Sequence, residues 1–115
     1  MDGEWIMQPF ELRIAMLAWD GDGKRRPVLI LSLNGEIASL YSITTQYENK
    51  SKQIKANYFP IKNWQFAGLN KPSYIDTNKL IQLNVAAIDD TPIGHLSAID
   101  AKSLQEFLAK RNATK

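Results

Sequence analysis

The stretch PVLILSLNGEIASLYSITT, residues 27–45, predicts two β-strands joined by a tight turn. Its first part, PVLIL, is continuously apolar, which is typical of a strand that is covered on both faces. Asn34-Gly35 is the strongest hairpin signal in the chain, because both residues tolerate the positive φ of a type I′ turn. The part after the turn alternates, so two sets of side chains lie on opposite faces: Ile37, Tyr41 and Ile43, and Leu40, Ser42 and Thr44.

Further β-type segments surround this hairpin. ELRIAMLAW (11–19) predicts a first strand, although its Ala and Met also fit a helix. DGDG (20–23) ends this segment, because Asp and Gly favour turns. IKANYFPI (54–61) predicts another strand, and YIDTNKLIQL (74–83) predicts either one bent strand or two short ones. The chain is therefore rich in short strands.

A single helix closes the chain in LSAIDAKSLQEFLAK (96–110). Ser97 is positioned as its N-cap, and Asp100 follows three residues later in an arrangement like a capping box. Four apolar residues form the stripe that is predicted to face the core: Ile99, Leu104, Phe107 and Leu108. The predicted fold class is mainly β with α, a small antiparallel sheet or barrel with one C-terminal helix packed on it.

Length and composition indicate one ordinary globular domain, residues 1–115. The absence of cysteine excludes disulfides and thiolate metal sites. No apolar stretch approaches the roughly 20 residues of a membrane span. MDGEWIMQPF (1–10) lacks the basic start and apolar core of a signal peptide. We therefore expect a cytoplasmic protein with no membrane partner.

The residue types present exclude most catalytic chemistries. His95 is the only histidine, so a pair of histidines acting as acid and base cannot form within one chain. A Ser-His-Asp triad would have to use His95, and the G-x-S-x-G nucleophile elbow is absent. Asp20-Gly-Asp22-Gly lacks the acid that an EF-hand needs at its twelfth position, which is Leu31. No phosphate-binding or dinucleotide-binding glycine pattern occurs either, so we expect no metal and no cofactor.

Arginine combined with hydroxyl groups is the chemistry that remains. A planar guanidinium matches a phosphate whose charge is growing, and a threonine hydroxyl donates to a non-bridging oxygen. RNA carries its own nucleophile, the 2′-OH. Cutting RNA to a cyclic phosphate without a metal therefore needs little more than these two groups, whereas DNA, which lacks that hydroxyl, is a poor substrate.

Basic residues concentrate in two short segments. Lys24, Arg25 and Arg26 are adjacent, and three lysines fall within ENKSKQIK (48–55). With a net charge of only +2, charge alone favours solvated surface segments. The same side chains beside a groove would favour a partner that carries phosphates.

Three landmarks occur in a fixed order: GKRRPVLILS (23–32), YSITTQ (41–46) and IGHLSAIDAKSLQEFL (93–108). Together they resemble the MazF/PemK/Kid-type toxins of bacterial toxin–antitoxin pairs, over most of the chain. The resemblance implies an SH3-like small barrel and a metal-independent endoribonuclease that cuts single-stranded mRNA at short sequences. It also implies a homodimer and a cognate antitoxin that lays an extended tail over the RNA groove.

By this resemblance, Arg26 is the catalytic arginine and Thr44 is its hydroxyl partner. RNA-binding residues are expected among their polar neighbours: Lys24, Arg25, Thr45, Gln46, Lys50, Lys52 and Lys55. A clean two-residue turn at Asn34-Gly35 sets Arg25 opposite Thr44, whereas a one-residue bulge brings Arg26 there. We favour Arg26. Pro27, which has no N–H to donate, suits the first residue of a strand at the rim of a barrel.

Two features depart from the family pattern. PFELRI (9–14) replaces the Gly-Asp or similar pair that usually opens the first strand, and only DGDGK (20–24) spans the first loop. A non-catalytic barrel that binds RNA or a peptide is therefore an alternative. A gyrase-directed toxin of the same fold is a weaker one, since such relatives need neither catalytic residue. Trp64 and Phe66 are candidates for stacking nucleobases, although Trp64 is expected in the core.

Overall fold

Six antiparallel strands form one sheet that is curled into a half-barrel, with a helix at the C-terminal end. The computed structural model describes residues 7–19 and 22–113. The strands are β1 (Glu11–Trp19), β2 (Asp22–Asn34), β3 (Ile37–Thr44), β4 (Tyr58–Pro60), β5 (Tyr74–Asn84) and β6 (Gly94–His95). The other elements are helix α1 (Lys52–Lys55), a 3₁₀ turn (Val85–Ala87) and helix α2 (Ala98–Ala113). The strand order β4-β5-β3-β2-β1-β6 confirms the predicted fold class, mainly β with one C-terminal helix.

The first and the longest late strand follow the sequence prediction. β1 has the predicted bounds, and β5 is one strand rather than two. The predicted strand at 54–61 is wrong in its first half, because residues 52–55 form helix α1 and β4 begins only after it. Ser51 explains the difference, since its Oγ accepts a hydrogen bond from the N–H of Ile54 at 3.3 Å and caps a helical turn.

β1 and β2 form the first hairpin. Trp19 pairs with Asp22, and residues 20 and 21, where DGDG is predicted to end the strand, lie outside the described residues. β2 begins at Asp22, so the prediction that Pro27 opens the strand is wrong. The ladder between β2 and β3 ends at Val28, next to Pro27. Because Pro27 lies just beyond the last pair of this ladder, the N–H that proline lacks is not needed as a donor to β3.

The register between β2 and β3 differs from the simplest prediction at two points. Asn34 pairs with Ile37, so the two-residue loop is Gly35-Glu36 rather than Asn34-Gly35, and Gly35 adopts φ 63°. A β-bulge at Leu31 then shifts the register in the opposite sense. Relative to a clean Asn34-Gly35 turn, the displaced turn shifts the β3 partner of each β2 residue by two positions, and the bulge shifts it back by one. Beyond the bulge, the pairing therefore differs by one residue from that of a clean Asn34-Gly35 turn.

The two faces of the sheet carry separate apolar clusters. One face of the sheet packs against α2 and is called the helix face. Its apolar residues form the helix-face cluster, which is centred on Leu29, Tyr41, Ile43, Ile75 and Leu104. The other face is called the open face, and its apolar residues form the open-face cluster, which includes Ala15, Leu17, Val28, Ile30, Leu40 and Ile88. β3 alternates between the two faces as predicted, because Tyr41 and Ile43 enter the first cluster and Leu40 enters the second.

β5 bulges away from β3 in its middle. The pairing between these strands skips residues 77–80, which lie opposite Tyr41 alone. The O–H of Thr77 donates to the carbonyl oxygen of Asn57 at 2.7 Å, and the guanidinium of Arg111 in α2 donates to the carbonyl oxygen of Thr77 at 2.7 Å. Because a long bulge interrupts one continuous strand, the sequence pattern fits both one strand and two.

Helix α2 begins after Ser97 as predicted, but its buried face differs from the predicted stripe. The Oγ of Ser97 accepts a hydrogen bond from the N–H of Asp100 at 3.1 Å. Ile99 is 61% exposed, so its predicted place in the core is wrong, while the other three residues of the stripe contact the helix-face cluster. Asp100 is buried instead, because its carboxylate accepts the N–H groups of Lys62 at 3.0 Å and Asn63 at 2.8 Å. Among the described helices, none is both long enough and apolar enough to cross a membrane.

The loop between β4 and β5 meets β6 with very little space between the two backbones. Gly68 adopts φ 95°, and a Cβ at this position would overlap the carbonyl oxygen of Ile93. A Cβ at Gly94 would likewise overlap the carbonyl oxygen of Ala67. Both positions require glycine, and the contact links the loop after one edge strand, β4, to the other edge strand, β6.

Asp100→Ala is expected to lower the free energy of unfolding by about 2–3 kcal/mol, because two backbone N–H groups lose their buried acceptor. Urea unfolding followed by circular dichroism measures the change. Glu106→Ala, at an exposed position on the same helix, is the control and should shift stability by no more than about 0.5 kcal/mol. Equal stability of the two variants would contradict the role assigned to the Asp100 carboxylate.

Candidate functional site

The register beyond the β2 bulge aligns Arg26 with Thr44. The last paired residues of the ladder between β2 and β3 are Val28 and Ser42. Continued by two residues along each strand, the same register sets Arg26 opposite Thr44. Arg25, which a clean Asn34-Gly35 turn would set opposite Thr44, is one residue out of register with it.

Arg26 and Thr44 share the open face. Residues opposite each other in an antiparallel pair lie on the same face, and Val28, two residues after Arg26, belongs to the open-face cluster. On its other side Arg26 pairs with Ala15 of β1, which is fully buried in that cluster. Both Arg26 and Thr44 are half-buried. Each is therefore supported by packing and still reachable from solvent.

The hydroxyl of Thr44 is oriented by the turn that follows β3. Its Oγ1 accepts a hydrogen bond from the backbone N–H of Gln46 at 3.0 Å. Because the oxygen is the acceptor in this bond, the O–H is left to donate to another group. Gln46 itself is exposed.

β5 adds two residues that were not predicted from the sequence. Tyr74 pairs with Thr44, and Asp76 pairs with Ser42 in the next row. One oxygen of the Asp76 carboxylate accepts from the backbone N–H and the side-chain amide of Asn78, each at 2.9 Å. Asp76 and Ser42 also line an open cavity of about 500 Å³ that extends along the far half of β5. No sequence motif marks Asp76, and only the pairing of β5 with β3 reveals its position.

Arg25 lies on the face opposite Arg26, because successive residues of a strand point to opposite faces. The guanidinium of Arg25 lies 2.7 Å from the carboxylate of Asp89, and these side chains are 54% and 40% exposed. Such an exposed ion pair is a weak contact. Thr45 lines a second open cavity, of about 350 Å³, on the helix face. The structure thus separates these two predicted RNA-binding residues from the Arg26–Thr44 pair.

The four predicted RNA-binding lysines form two groups. Lys24 pairs with Leu17, a member of the open-face cluster, so Lys24 lies on the open face. The other three lie on helix α1 or just before it: Lys50, Lys52 and Lys55. Helix α1 is attached to the bulge of β5, because the amide of Asn78 donates to the carbonyl oxygen of Ile54 at 3.1 Å. These three lysines therefore lie beside the β4–β5 edge of the sheet.

Three tyrosines form a cluster next to Thr44. Tyr74 stacks on Tyr47, with ring centres 4.4 Å apart and ring planes 11° from parallel. The ring of Tyr58 is tilted, at 6.1 Å from Tyr47 and 6.2 Å from Tyr74. Burial raises the pKa of Tyr58 above its ordinary value of 10.0, and the carboxylate of Asp76 raises this pKa further. The phenol of Tyr58 is therefore neutral at physiological pH.

The aromatic residues that the sequence suggested for base stacking lie elsewhere. Trp64 packs against the helix-face cluster, as expected of a core residue. Phe66 is 62% exposed, and its ring meets that of His95 edge to face, with centres 5.4 Å apart. His95 belongs to the edge strand β6, and its Nδ1 lies 2.9 Å from the carbonyl oxygen of Leu96. Within the described part of the chain, no three acidic or histidine side chains are grouped so as to hold a metal ion.

A buried arginine near the site was not predicted from the sequence. Arg13 is 2% exposed, and it donates to Glu11 at 2.9 Å and to the carbonyl oxygen of Asp89 at 2.9 Å. The N–H of Asp89 donates to the carbonyl oxygen of Ile14 at 2.8 Å. These bonds fasten the segment after the 3₁₀ turn to β1, beside the strand position that pairs with Arg26. One arginine in an alternating strand resembles a surface residue, so the sequence carries no signal of its burial.

No family model matches the sequence, and no curated protein matches it. Solved structures do match. The Mycobacterium tuberculosis toxin MazF-mt6 is 27% identical, with a TM-score of 0.67, and the alignment covers 87% of this chain and 93% of that one. A second structure, described as an Mtb toxin, is 24% identical with a TM-score of 0.62, covers 85% of this chain and 97% of that one, and supports the fold alone. The chain therefore has the fold of the MazF-type toxin family, which confirms the resemblance drawn from its sequence.

Proposed function

We propose that the chain is the toxin component of a type II toxin–antitoxin system and acts as an endoribonuclease on single-stranded mRNA. Its similarity to the toxin MazF-mt6 supports the toxin assignment. The observation that carries the enzymatic assignment is the register of β2 and β3, which, continued by two residues beyond the Val28–Ser42 pair, sets Arg26 opposite Thr44. A cation and a hydroxyl donor on one solvent-accessible face can bind the phosphodiester and stabilise the charge that grows on it during metal-independent cleavage of RNA.

In this proposal, the guanidinium of Arg26 binds the non-bridging oxygens of one phosphodiester and stabilises the charge that grows in the transition state. Thr44 donates its O–H to one of these oxygens. The ribose 2′-OH attacks phosphorus, the bond to the 5′ oxygen of the next nucleotide breaks, and that oxygen takes up a proton from solvent. Asp76, one row away on β5, supplies a carboxylate that accepts the proton of the 2′-OH. The products are a 2′,3′-cyclic phosphate and a 5′-hydroxyl.

The RNA backbone is proposed to follow the open face towards helix α1. Lys24 lies on that face, and Gln46, whose backbone N–H donates to the threonine hydroxyl, is exposed. Phosphates further along would meet Lys50, Lys52 and Lys55. Each such contact strengthens binding in a salt-dependent way. Arg25 would contact RNA only after its ion pair with Asp89 opens, and Thr45 would do so only from the helix face.

The similarity to MazF-type toxins also supports three further parts of the proposal: a cognate antitoxin, a homodimer and a cytoplasmic location. An acidic antitoxin tail would compete with RNA for the same basic side chains, because both ligands are extended and negatively charged. The antitoxin would thus inhibit the enzyme by occupying its substrate path.

Purified protein is expected to cleave single-stranded RNA in the presence of EDTA and to leave 2′,3′-cyclic phosphate and 5′-hydroxyl ends. Arg26→Ala and Thr44→Val should each lower kcat by at least about 100-fold, because each removes a group that binds the charge forming in the transition state. A random-sequence RNA library, sequenced at its new 5′-hydroxyl ends, measures cleavage at whichever motif the enzyme prefers.

Two further variants show whether this effect is local. Lys102→Ala removes an exposed charge from α2 and should leave cleavage unchanged. Arg25→Ala removes the neighbouring guanidinium from the opposite face and should raise KM more than it lowers kcat. Loss of cleavage in Arg25→Ala but not in Arg26→Ala would contradict the register argument. A wild-type protein that binds RNA and never cuts it would be the non-catalytic barrel instead.

Induced expression without an antitoxin is expected to arrest bacterial growth, whereas Arg26→Ala at the same protein level should permit growth. The reason is that growth arrest in this proposal requires cleavage of mRNA. New 5′-hydroxyl ends in total RNA, with unchanged plasmid supercoiling, would attribute the arrest to that cleavage. Arrest with intact RNA and altered supercoiling would support the gyrase-directed alternative.

A further inference from the structure

The tyrosine cluster, defined as Tyr47, Tyr58 and Tyr74, takes no part in the chemistry proposed above but lies directly beside it. Tyr74 is the β5 residue that pairs with Thr44. Because paired residues share a face, the side chain of Tyr74 projects from the backbone position next to the proposed phosphate site. Tyr47 follows Thr44 by three residues and stacks on Tyr74.

The tyrosine cluster is separate from both apolar clusters of the sheet. Among the described residues, none of its three side chains belongs to the helix-face cluster or the open-face cluster. Tyr58 is 7% exposed and forms the buried base, while Tyr47 and Tyr74 are half-buried. The stacked pair is therefore the part that solvent reaches. A solvent-accessible aromatic stack beside basic residues is the arrangement by which proteins bind single-stranded nucleic acids.

Lys55 lies over the tyrosine cluster from helix α1. Its Nζ is 4.7 Å from the centre of the Tyr47 ring and 3.9 Å from a carboxylate oxygen of Glu48. The Glu48 side chain is 93% exposed. The Lys55 side chain is 27% exposed, and the Tyr47 ring is half-buried. The ion pair is weak, because it is long and its carboxylate is solvated, and one cation–π contact is weaker than base stacking combined with a phosphate contact. A ligand that offers more than these two contacts can therefore displace the Lys55 ammonium.

We propose that Tyr47 and Tyr74 form a stacking subsite for the nucleobase adjacent to the cleaved phosphodiester, and that Lys55 occupies this subsite in the unbound protein. The base takes the position of the Lys55 ammonium against the Tyr47 ring, and the released ammonium binds the phosphate of the same nucleotide. This inference rests on the proposed function, because its ligand is the single-stranded RNA substrate.

The exchange is favourable for two reasons. Stacking of a base on an aromatic ring is at least as strong as a single cation–π contact, and the displaced ammonium gains a phosphate in place of a distant carboxylate. Tyr58 stays neutral at physiological pH, so the cluster adds no negative charge that would repel the RNA. Every base has a π-face, so the subsite strengthens binding without requiring one particular base.

Binding to a fluorescein-labelled RNA of about 12 nucleotides, of mixed sequence and with 2′-O-methyl groups throughout, tests the subsite in the absence of cleavage. Tyr47→Leu is expected to raise Kd about tenfold, which is the loss of one base stack. Tyr47→Phe keeps the ring and should bind within about twofold of wild type. Fluorescence anisotropy at fixed ionic strength measures all three proteins.

An abasic ribose–phosphate oligomer of the same length separates stacking from phosphate contacts. Tyr47→Leu should bind this oligomer as wild type does, whereas Lys55→Gln should weaken binding to both oligomers. Phe66→Leu removes an exposed ring outside the tyrosine cluster and is the matched control, so it should change neither affinity. A purely structural role of Tyr47 would instead weaken binding to both oligomers equally.

A fluorescence measurement on the wild-type protein makes the test independent of whether the variants fold. 2-Aminopurine, placed at each position of the 2′-O-methyl RNA in turn, should lose fluorescence at one position on binding, because stacking quenches this base. Absence of quenching at every position would overturn the subsite.

Failure of this inference differs from failure of the proposed function. If wild type cleaves RNA while Tyr47→Leu binds both oligomers as tightly as wild type, the subsite is refuted and the nuclease stands. If wild type binds the RNA through Tyr47 and cuts no RNA, the nuclease is refuted and the subsite stands. If wild type binds neither oligomer, both are refuted.

Discussion

The pairing register of β2 with β3 is the constraint on which the candidate site depends. A displaced turn and a bulge at Leu31 together set a register that, continued past the Val28–Ser42 pair, brings Arg26 rather than Arg25 opposite Thr44. The bulge is held from both sides, because Ile30 is buried in the open-face cluster while Leu31 packs against the helix-face cluster. A slip by one residue would place one of these apolar side chains on the wrong face, so core packing protects the register.

The remaining elements hold β5 beside this pair. The bulge of β5 is tied to α2 by the bond from Arg111 to Thr77 and to α1 by the bond from Asn78 to Ile54. These bonds hold the extra residues of β5 within the bulge. Residues 74–76 can therefore keep their pairing with β3, which places Asp76 and Tyr74 beside the site. Residues distant from the chemistry thus decide which side chains reach it.

Ion pairs at the surface moderate the basic character of the protein. Arg25 is paired with Asp89, and Lys55 lies near Glu48, which fits the net charge of only +2. Such exposed pairs are weak and are screened by salt. A polyanion can therefore replace these carboxylates as the partner of Arg25 and Lys55 at little cost in free energy.

Local pattern was sufficient for β1, β5, the presence of the central hairpin and the final helix with its Ser97 cap, because apolar periodicity and turn chemistry act over a few residues. It missed helix α1 and displaced the loop of the hairpin by one residue. Composition was sufficient to exclude most chemistries and to leave arginine with hydroxyls. Contacts between distant residues decided the rest. The position of Arg26 depends on a bulge that cross-strand packing selects. Asp100 is buried in place of Ile99, because its carboxylate accepts hydrogen bonds from a loop that is remote in sequence. The tyrosine cluster draws on three separate segments, so no local pattern contains it.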